Sequence, residues 1–459
     1  MDSGSDIKNL QDSGSLAYVL LVSVVAAVGG LLFGFDTAVI AGANPFLKAH
    51  FELSEAMLGF SVASAIIGCI FGAAFAGTAS DRFGRKRILL VCAVLFAVSA
   101  IGSAIPRTLV QFVIARFIGG LGVGAASMLS PMYIAEISPA RIRGRLVSLN
   151  QLAIVTGILV AYFVDFFAAD IPDTNWRWMF GSETLPAVLF FLLLLTVPES
   201  PRWLAKQQRQ DEALAILTKV GGREHAEAEM AEIKEAVAQE QDSISQLFHP
   251  GMRVALIIGI VLAILQQITG INIVMYYAPT IFASAGATVD ASLLQAVAVG
   301  AVNLTFTLVA IWVVDRFGRK VLLLAGSAGM GIFLTLVGAV FHYGKLEGPW
   351  VLLFILGYIA CFASSLGPVV WVVISEIFPT RIRGRAMAIA TVCLWVACAA
   401  VAQVFPIMLE KLDGAVTFGI FAAMCAITFV FVLLVVPETK GKTLEQIEKH
   451  WMRHPTTAK

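Results

Sequence analysis

The chain reads as an all-α protein embedded in a lipid bilayer, with twelve spanning helices in two six-helix halves. Three observations carry that reading. First, 58% of the 459 residues are hydrophobic and only 14% are charged, against roughly 25% charged in soluble globular domains. Second, the apolar residues arrive in blocks of about 20, the length that crosses a hydrocarbon layer of about 30 Å as helix. Third, charged motifs recur at a common spacing, each time at the matching end of an apolar block.

Taken in order, residues 1–15 are polar and carry one Lys against three Asp. A cleavable signal needs a basic start and a short apolar stretch, so the first span is expected to stay in the protein behind a cytoplasmic tail. Apolar blocks then lie near 16–42, 57–79, 88–105, 109–135, 146–169 and 178–197, giving an N-terminal half over 16–197. Residues 198–252 are the one long polar stretch. They alternate charge with apolar residues at helical spacing, which predicts short cytoplasmic helices, either a passive linker or a part of gating. Six more blocks follow near 254–282, 293–314, 321–342, 349–375, 386–409 and 415–437, a C-terminal half over 253–437 with a tail over 438–459.

Orientation follows from Lys and Arg in the connections. With both termini cytoplasmic, the outer loops hold only Lys48, Arg107, Arg177, Lys345 and Lys411, Arg116 lies inside a span, and the other 26 of the 32 basic residues are inside. A multi-pass cell membrane protein facing lipid is therefore expected. The net charge near +1 leaves no clustered positive surface for nucleic acid. All six cysteines lie in apolar blocks without metal-ligand spacing, so disulfide and zinc readings are dropped and no cofactor is expected.

The repeat is specific. Asp81-Arg-Phe-Gly-Arg-Lys86 follows the second span and Asp315-Arg-Phe-Gly-Arg-Lys320 the eighth. Glu136-Ile-Ser-Pro-Ala-Arg-Ile-Arg-Gly-Arg145 follows the fourth and Glu376-Ile-Phe-Pro-Thr-Arg-Ile-Arg-Gly-Arg385 the tenth. Pro198-Glu-Ser closes the sixth and Pro437-Glu-Thr the twelfth. Such parallel repeats place a site near the midplane between two halves that rock against each other. Positive-inside topology explains the Arg and Lys residues but not the acids that recur beside them. Asp81, Arg85, Glu136, Arg143, Glu199, Arg202, Asp315, Arg319, Glu376, Arg383 and Glu438 are therefore candidates for a cytoplasmic ion-pair network latching the halves. Exposed pairs of this kind are worth about 0–1 kcal/mol each, weak enough for a latch that opens.

The two Asp-Arg-Phe-Gly-Arg-Lys loops, Pro198-Glu-Ser-Pro-Arg-Trp203, Gln266-Gln-Ile-Thr-Gly-Ile-Asn272, Gly367-Pro-Val-Val-Trp371 and Pro437-Glu-Thr-Lys-Gly441 together resemble the sugar porter family of the major facilitator superfamily. The resemblance covers nearly the whole chain and is strongest to bacterial proton-coupled sugar symporters of the xylose type. It implies the major facilitator fold and a proton-coupled hexose or pentose symporter, acting as a monomer. The alternatives are a facilitative uniporter and a non-transporting membrane sugar sensor. No nucleophile–base pair, metal cluster or phosphate loop suggests an enzyme.

Sugars are uncharged and rich in hydroxyls, so a site for them needs fixed amides and aromatic faces. Gln151, Gln266, Gln267, Asn272, Asn303 and Trp371 meet that need. A single intramembrane Gln is more often glue between helices, but the grouping of Gln266, Gln267 and Asn272 around Gly270 favours a site. Adjacent glutamines point about 100° apart on a helix, so both serve one pocket only where the helix is irregular, as Gly270 allows. The resemblance carries sugar contact onto these positions and adds Tyr276 and Trp395.

Asp36 and Arg116 are an acid and a base inside spans, where ionisable groups mark a pathway or a partner. Proton-coupled relatives carry their proton on an Asp in the context that reads Gly34-Phe-Asp-Thr37 here, and Arg116 matches its partner. The competing reading of Asp36 is an interfacial acid near the outer end of span one. Glu183 is ambiguous, and Asp165 is expected to face the outer surface. Span eleven departs from the family pattern: Leu394 stands where an amide usually precedes Trp395, and Cys398 stands at another position that is often polar. Leu394 either lines the pocket or faces lipid or a neighbouring helix.

Overall fold

A computed structural model of the chain describes residues 15–139, 141–239, 250–344, 348–378 and 383–438. The expected tails, Lys345 and the side chains of Asp315 and Arg383 lie outside what is described. The described residues form helices and connections, with no strand among them.

The N-terminal half comprises α1 (Leu16–His50), α2 (Glu55–Phe83), α3 (Arg85–Ala104), α4 (Leu109–Ile137), α5 (Arg143–Ala168) and a sixth span split into α6 (Asn175–Gly181) and α7 (Thr184–Thr196). Hydroxyls start several of these helices. Ser15, Ser54 and Thr108 each accept a hydrogen bond from the backbone N–H three residues on, satisfying donors that the first turn leaves orphaned. Span one runs eight residues past its expected end, to His50, and carries Pro45 without breaking.

Three short helices, α8 (Pro201–Lys206), α9 (Gln210–Gly221) and α10 (Arg223–Gln239), lie in the described part of the polar stretch. They bury a small core of Trp203, Leu204, Leu217 and Met230. The Trp203 indole donates to the Asp81 carbonyl at 2.9 Å, pinning this unit to the N-terminal half.

The C-terminal half comprises a seventh span split into α11 (Pro250–Ile268) and α12 (Ile271–Ser284), then α13 (Val289–Phe317), α14 (Arg319–His342), a tenth span split into α15 (Trp350–Ala363) and α16 (Leu366–Ile377), and α17 (Arg383–Leu434). Spans eleven and twelve are two helices, as expected; they follow one another without a loop within α17 and are divided at Asp413, whose φ of 61° and ψ of 175° break the helix. Phe75, Leu185 and Leu434 are among the large apolar side chains exposed around the bundle.

The sequence repeat is a structural repeat. Ser54 caps α2 and Thr288 caps α13 in the same way. Gly84 and Gly318 end those helices with φ of 99° and 89°, and a Cβ there would sit 2.3 Å from Glu199 Oε2 and 2.8 Å from Glu438 Oε2. Glu199 accepts from the Arg85 and Lys86 N–H groups at 2.9 and 3.1 Å, and Glu438 from those of Arg319 and Lys320 at 3.0 and 3.1 Å. Each glutamate thus caps the N-terminus of the third helix of its half, where the helix dipole favours an anion. Arg85 bridges Glu136 at 2.9 Å and Asp81 at 3.0 Å, and Arg319 bridges Glu376 at 3.1 Å.

The described bonds of Asp81, Arg85, Glu136, Glu199, Arg319, Glu376 and Glu438 join elements on the same side of the repeat. Arg143 reaches Glu229 of α10 at 3.2 Å, so the linker helices engage the start of α5, which a passive tether would not require. Arg202 lies half-buried on α8.

Among the described hydrogen bonds, several cross between the halves away from the charged loops. Tyr162 on α5 donates to the Met275 carbonyl at 2.7 Å. Asn44 on α1 donates to the Tyr276 carbonyl at 2.9 Å, and Gln403 on α17 to the Ala56 carbonyl at 2.9 Å. Pro279 explains the first: it has no N–H, so the carbonyl four residues before it, that of Met275, is left free. Tyr277, with φ −130° and ψ 16°, marks the kink.

Candidate functional site

Spans seven and ten both break near mid-membrane, and the amides collect there. Gly270 takes φ 95°, ending α11, and a Cβ on it would lie 3.1 Å from the Phe421 ring. The break turns Gln266, Gln267 and Asn272 toward one another. Asn272 Nδ2 donates to Gln267 Oε1 at 2.5 Å, Gln267 Nε2 to Gln266 Oε1 at 3.3 Å, and Gln266 Nε2 to the Leu366 carbonyl at 2.8 Å. The last acceptor sits at the first residue of α16, beside the second break. On the other side of Gly270, the Thr269 carbonyl accepts from Tyr358 at 3.1 Å. Non-helical backbone at membrane depth is tolerated because these groups satisfy it.

The cluster extends to span eleven. Cys398 Sγ lies 3.1 Å from Asn272 Nδ2 and 3.5 Å from the Tyr276 hydroxyl. One turn earlier, Trp395 packs edge-on against Phe33 of α1 at 5.7 Å, joining the halves. Its buried indole Nε1 has no partner. An orphaned donor beside a row of amides is what a ligand rich in hydroxyls would satisfy. Leu394 is buried, which removes the lipid-facing alternative.

The remaining expected contacts sit on neighbouring helices. Asn303 is buried on α13, Trp371 is half-buried on α16, and Gln151 is half-buried on α5. Beside Gln151, Asn150 is turned toward α1, where a Cβ on Gly30 would lie 2.6 Å from its Oδ1. Asn44 and Tyr162, which close the halves, went unrecognised in the sequence. Pro279 was the readable signal for Tyr162's acceptor, whereas nothing local marks Asn44 beyond its polarity in an apolar block.

Asp36 and Arg116 form a buried ion pair. Arg116 Nη1 donates to Asp36 Oδ1 at 2.5 Å and Nη2 to the Asp36 carbonyl at 2.9 Å. Asp36 is 2% exposed, so the interfacial reading of this residue fails. The Arg116 guanidinium also lies over the Phe180 ring at 5.2 Å. Glu183, fully buried at the α6–α7 break, lies against the Asp36 carboxyl, and no described donor bonds either of its oxygens. Two buried carboxyls therefore face one guanidinium that bonds only the first, an arrangement that one bound proton would neutralise.

Asp165 departs from expectation. It does not face the outer surface: it is 1% exposed, and its Oδ2 accepts from the Gly42 N–H of α1 at 3.1 Å. The outward reading failed because α1 packs closely on this face of α5 at Gly42.

A family model described as "Sugar (and other) transporter" matches residues 22–451. The chain is 45% identical to the arabinose-proton symporter of Bacillus subtilis (strain 168), over 96% of this chain and 97% of that one. It is equally 45% identical to the D-xylose-proton symporter of Escherichia coli (strain K12), over the same shares. Among solved structures, the partially occluded inward-open form of the Escherichia coli xylose transporter matches with a TM-score of 0.84 at 44% identity, covering 93% of this chain and 100% of that chain. With fold, repeat and similarity running through both halves, the chain belongs to the sugar transporter family and has the major facilitator fold.

Proposed function

We propose that the chain is a proton-coupled monosaccharide symporter of a cell membrane, carrying aldopentoses or aldohexoses by alternating access. The observation that carries this reading is the buried Asp36–Arg116 pair with a second buried carboxyl, Glu183, against Asp36. A uniporter has no use for an intramembrane carboxylate whose charge balance needs a proton. Similarity to symporters named for arabinose and xylose supports the substrate class.

In this reading the sugar lies among Gln151, Gln266, Gln267, Asn272, Tyr276, Asn303, Trp371 and Trp395, exchanging its hydration for amide bonds and ring contacts. Asp36 takes a proton from outside and loosens its hold on Arg116. The halves, 16–197 and 253–437, rock about this site, and both ligands leave inward. The loops at Asp81 and Asp315 and both termini face the cytoplasm, in keeping with the positive-inside rule. The halves are joined at the opposite end, so the conformation is closed outward. The linker over 198–252 takes part in gating through Arg143 and Glu229, and the monomer is the working unit. Transport, not catalysis, is the activity.

The test is sugar uptake into liposomes with and without an imposed inward proton gradient. Accumulation above the external concentration only with the gradient supports symport, and equal equilibration in both conditions rejects it.

A further inference from the structure

Asp165 is a buried carboxyl that the proposed mechanism does not use. Its Oδ2 is held by a backbone N–H, its Oδ1 has no partner, and no described basic group lies within 4.0 Å of it. The basic and other titratable groups on the elements around α5 are committed or placed elsewhere. Lys48 pairs with Glu55, Arg116 with Asp36, and Arg177 donates to the Ala104 and Pro106 carbonyls at 2.8 and 3.0 Å. His50 packs against Phe51 and Trp176. Glu183 lies beside Asp36, and Asp290 is in the first turn of α13. On α5 itself the nearest titratable side chain is Tyr162, whose hydroxyl is spent on Met275. A charged carboxylate here would be both desolvated and unpaired, a costly combination.

The place of this acid in the fold gives it a role. Asp165 is one helical turn beyond Tyr162, and Gly42 is two residues before Asn44. Tyr162 and Asn44 supply two of the bonds that hold the halves together away from the basic loops. Gly42 leaves the room: a Cβ there would lie 2.4 Å from the Asp165 Cβ and 2.5 Å from its Oδ2. The α1–α5 contact that buries Asp165 therefore backs the seam that must part when the outer side opens.

We propose that Asp165 is a second proton-binding site, occupied while the outer ends are closed and emptied when the seam parts and water reaches it. Its proton enters from and returns to the outer side, so it is not cargo. Instead it makes closure pH-dependent: acid outside favours the closed seam. One linked proton changes the closed-to-open ratio by up to about tenfold per pH unit. This rests on the alternating-access reading but not on sugar movement.

The test is hydrogen–deuterium exchange on the full-length protein in lipid nanodiscs across a pH series, corrected for intrinsic exchange. It follows peptides over residues 38–50 and 271–284 in an Asp36→Asn background that removes the coupling site. Protection of these peptides is expected to rise by up to about tenfold per pH unit of acidification. Adding Asp165→Asn, the neutral shape of the protonated acid, is expected to leave protection high and nearly independent of pH. Asp165→Ser, equally unable to titrate, should also lose the dependence and serves if the Asn variant does not fold. A pH slope unchanged by either substitution overturns the proposal. So does a changed proton-to-sugar ratio when Asp165→Asn alone is assayed in liposomes, since that would make the proton cargo.

Discussion

Replacing Asp36 by Asn tests the coupling site with little change of volume. In the folded protein two buried carboxyls, Asp36 and Glu183, stand near one guanidinium, and Arg116 spends its shortest bond, 2.5 Å, on Asp36. Truncating one partner of a buried pair usually costs about 3–5 kcal/mol because the other charge is stranded. Here Glu183 stands beside Arg116 as a replacement anion, so the variant is expected to fold. The site is then neutral without a bound proton, and the driving force disappears. One proton crossing 100 mV supplies about 2.3 kcal/mol, or roughly 50-fold accumulation of sugar. The variant should fall to equilibration while still exchanging sugar in counterflow, which needs binding and rocking but no net energy input. Proteoliposomes preloaded with buffer or with sugar separate the two. Gradient-driven concentration of sugar by Asp36→Asn would show that the proton is carried elsewhere.

Asn272→Ala removes the donor that holds Gln267 and leaves sugar hydroxyls unpaired. It should weaken binding in purified protein by about 1–3 kcal/mol, which titration calorimetry reads as roughly 5- to 150-fold; unchanged affinity would make these amides structural glue. Tyr162→Phe strands the carbonyl that Pro279 frees, and the same penalty should shift the population toward outward-open states, seen as faster exchange over residues 271–284. Leu394→Gln places a hydrogen-bonding amide in an apolar wall beside Trp395, and an apolar wall discriminates weakly. A competition panel of pentoses and hexoses should show a sharper ranking in the variant, and an identical ranking would take Leu394 out of the site. Gly84→Ala forces a side chain into a backbone region that is essentially glycine-only, at a cost of about 1–3 kcal/mol, and against Glu199. Its melting temperature in detergent should fall, and an unchanged melting curve would count against the capping role of Glu199.

The helices, their approximate limits and the two-half repeat were legible because each is a local property. Hydrocarbon demands about 20 apolar residues per crossing, and Gly84 and Gly318 announce their own turns through repeated motifs. Gly270 likewise signalled the break that groups the glutamines with Asn272. Helix lengths were less legible. Block edges underestimated α1 by eight residues, since polar and apolar residues mix where a helix leaves the membrane.

Pairing was a different matter. The motif acids and bases could be identified as partners, but whether Arg85 meets Glu136 of its own half or a residue across the molecule depends on the distance between helices far apart in sequence. Only packing settles that, and the described bonds of Arg85 lie within its own half. The same holds for the seam opposite, where Tyr162 and Asn44 find carbonyls more than a hundred residues away. Charge alone also left Asp36, Glu183 and Asp165 as three similar acids. The fold separates them, because one faces a guanidinium, one stands beside that pair, and one is sealed against a glycine backbone with no cation near. The fate of a carboxyl in a membrane is decided by the neighbours that replace its water, and those neighbours come from other spans.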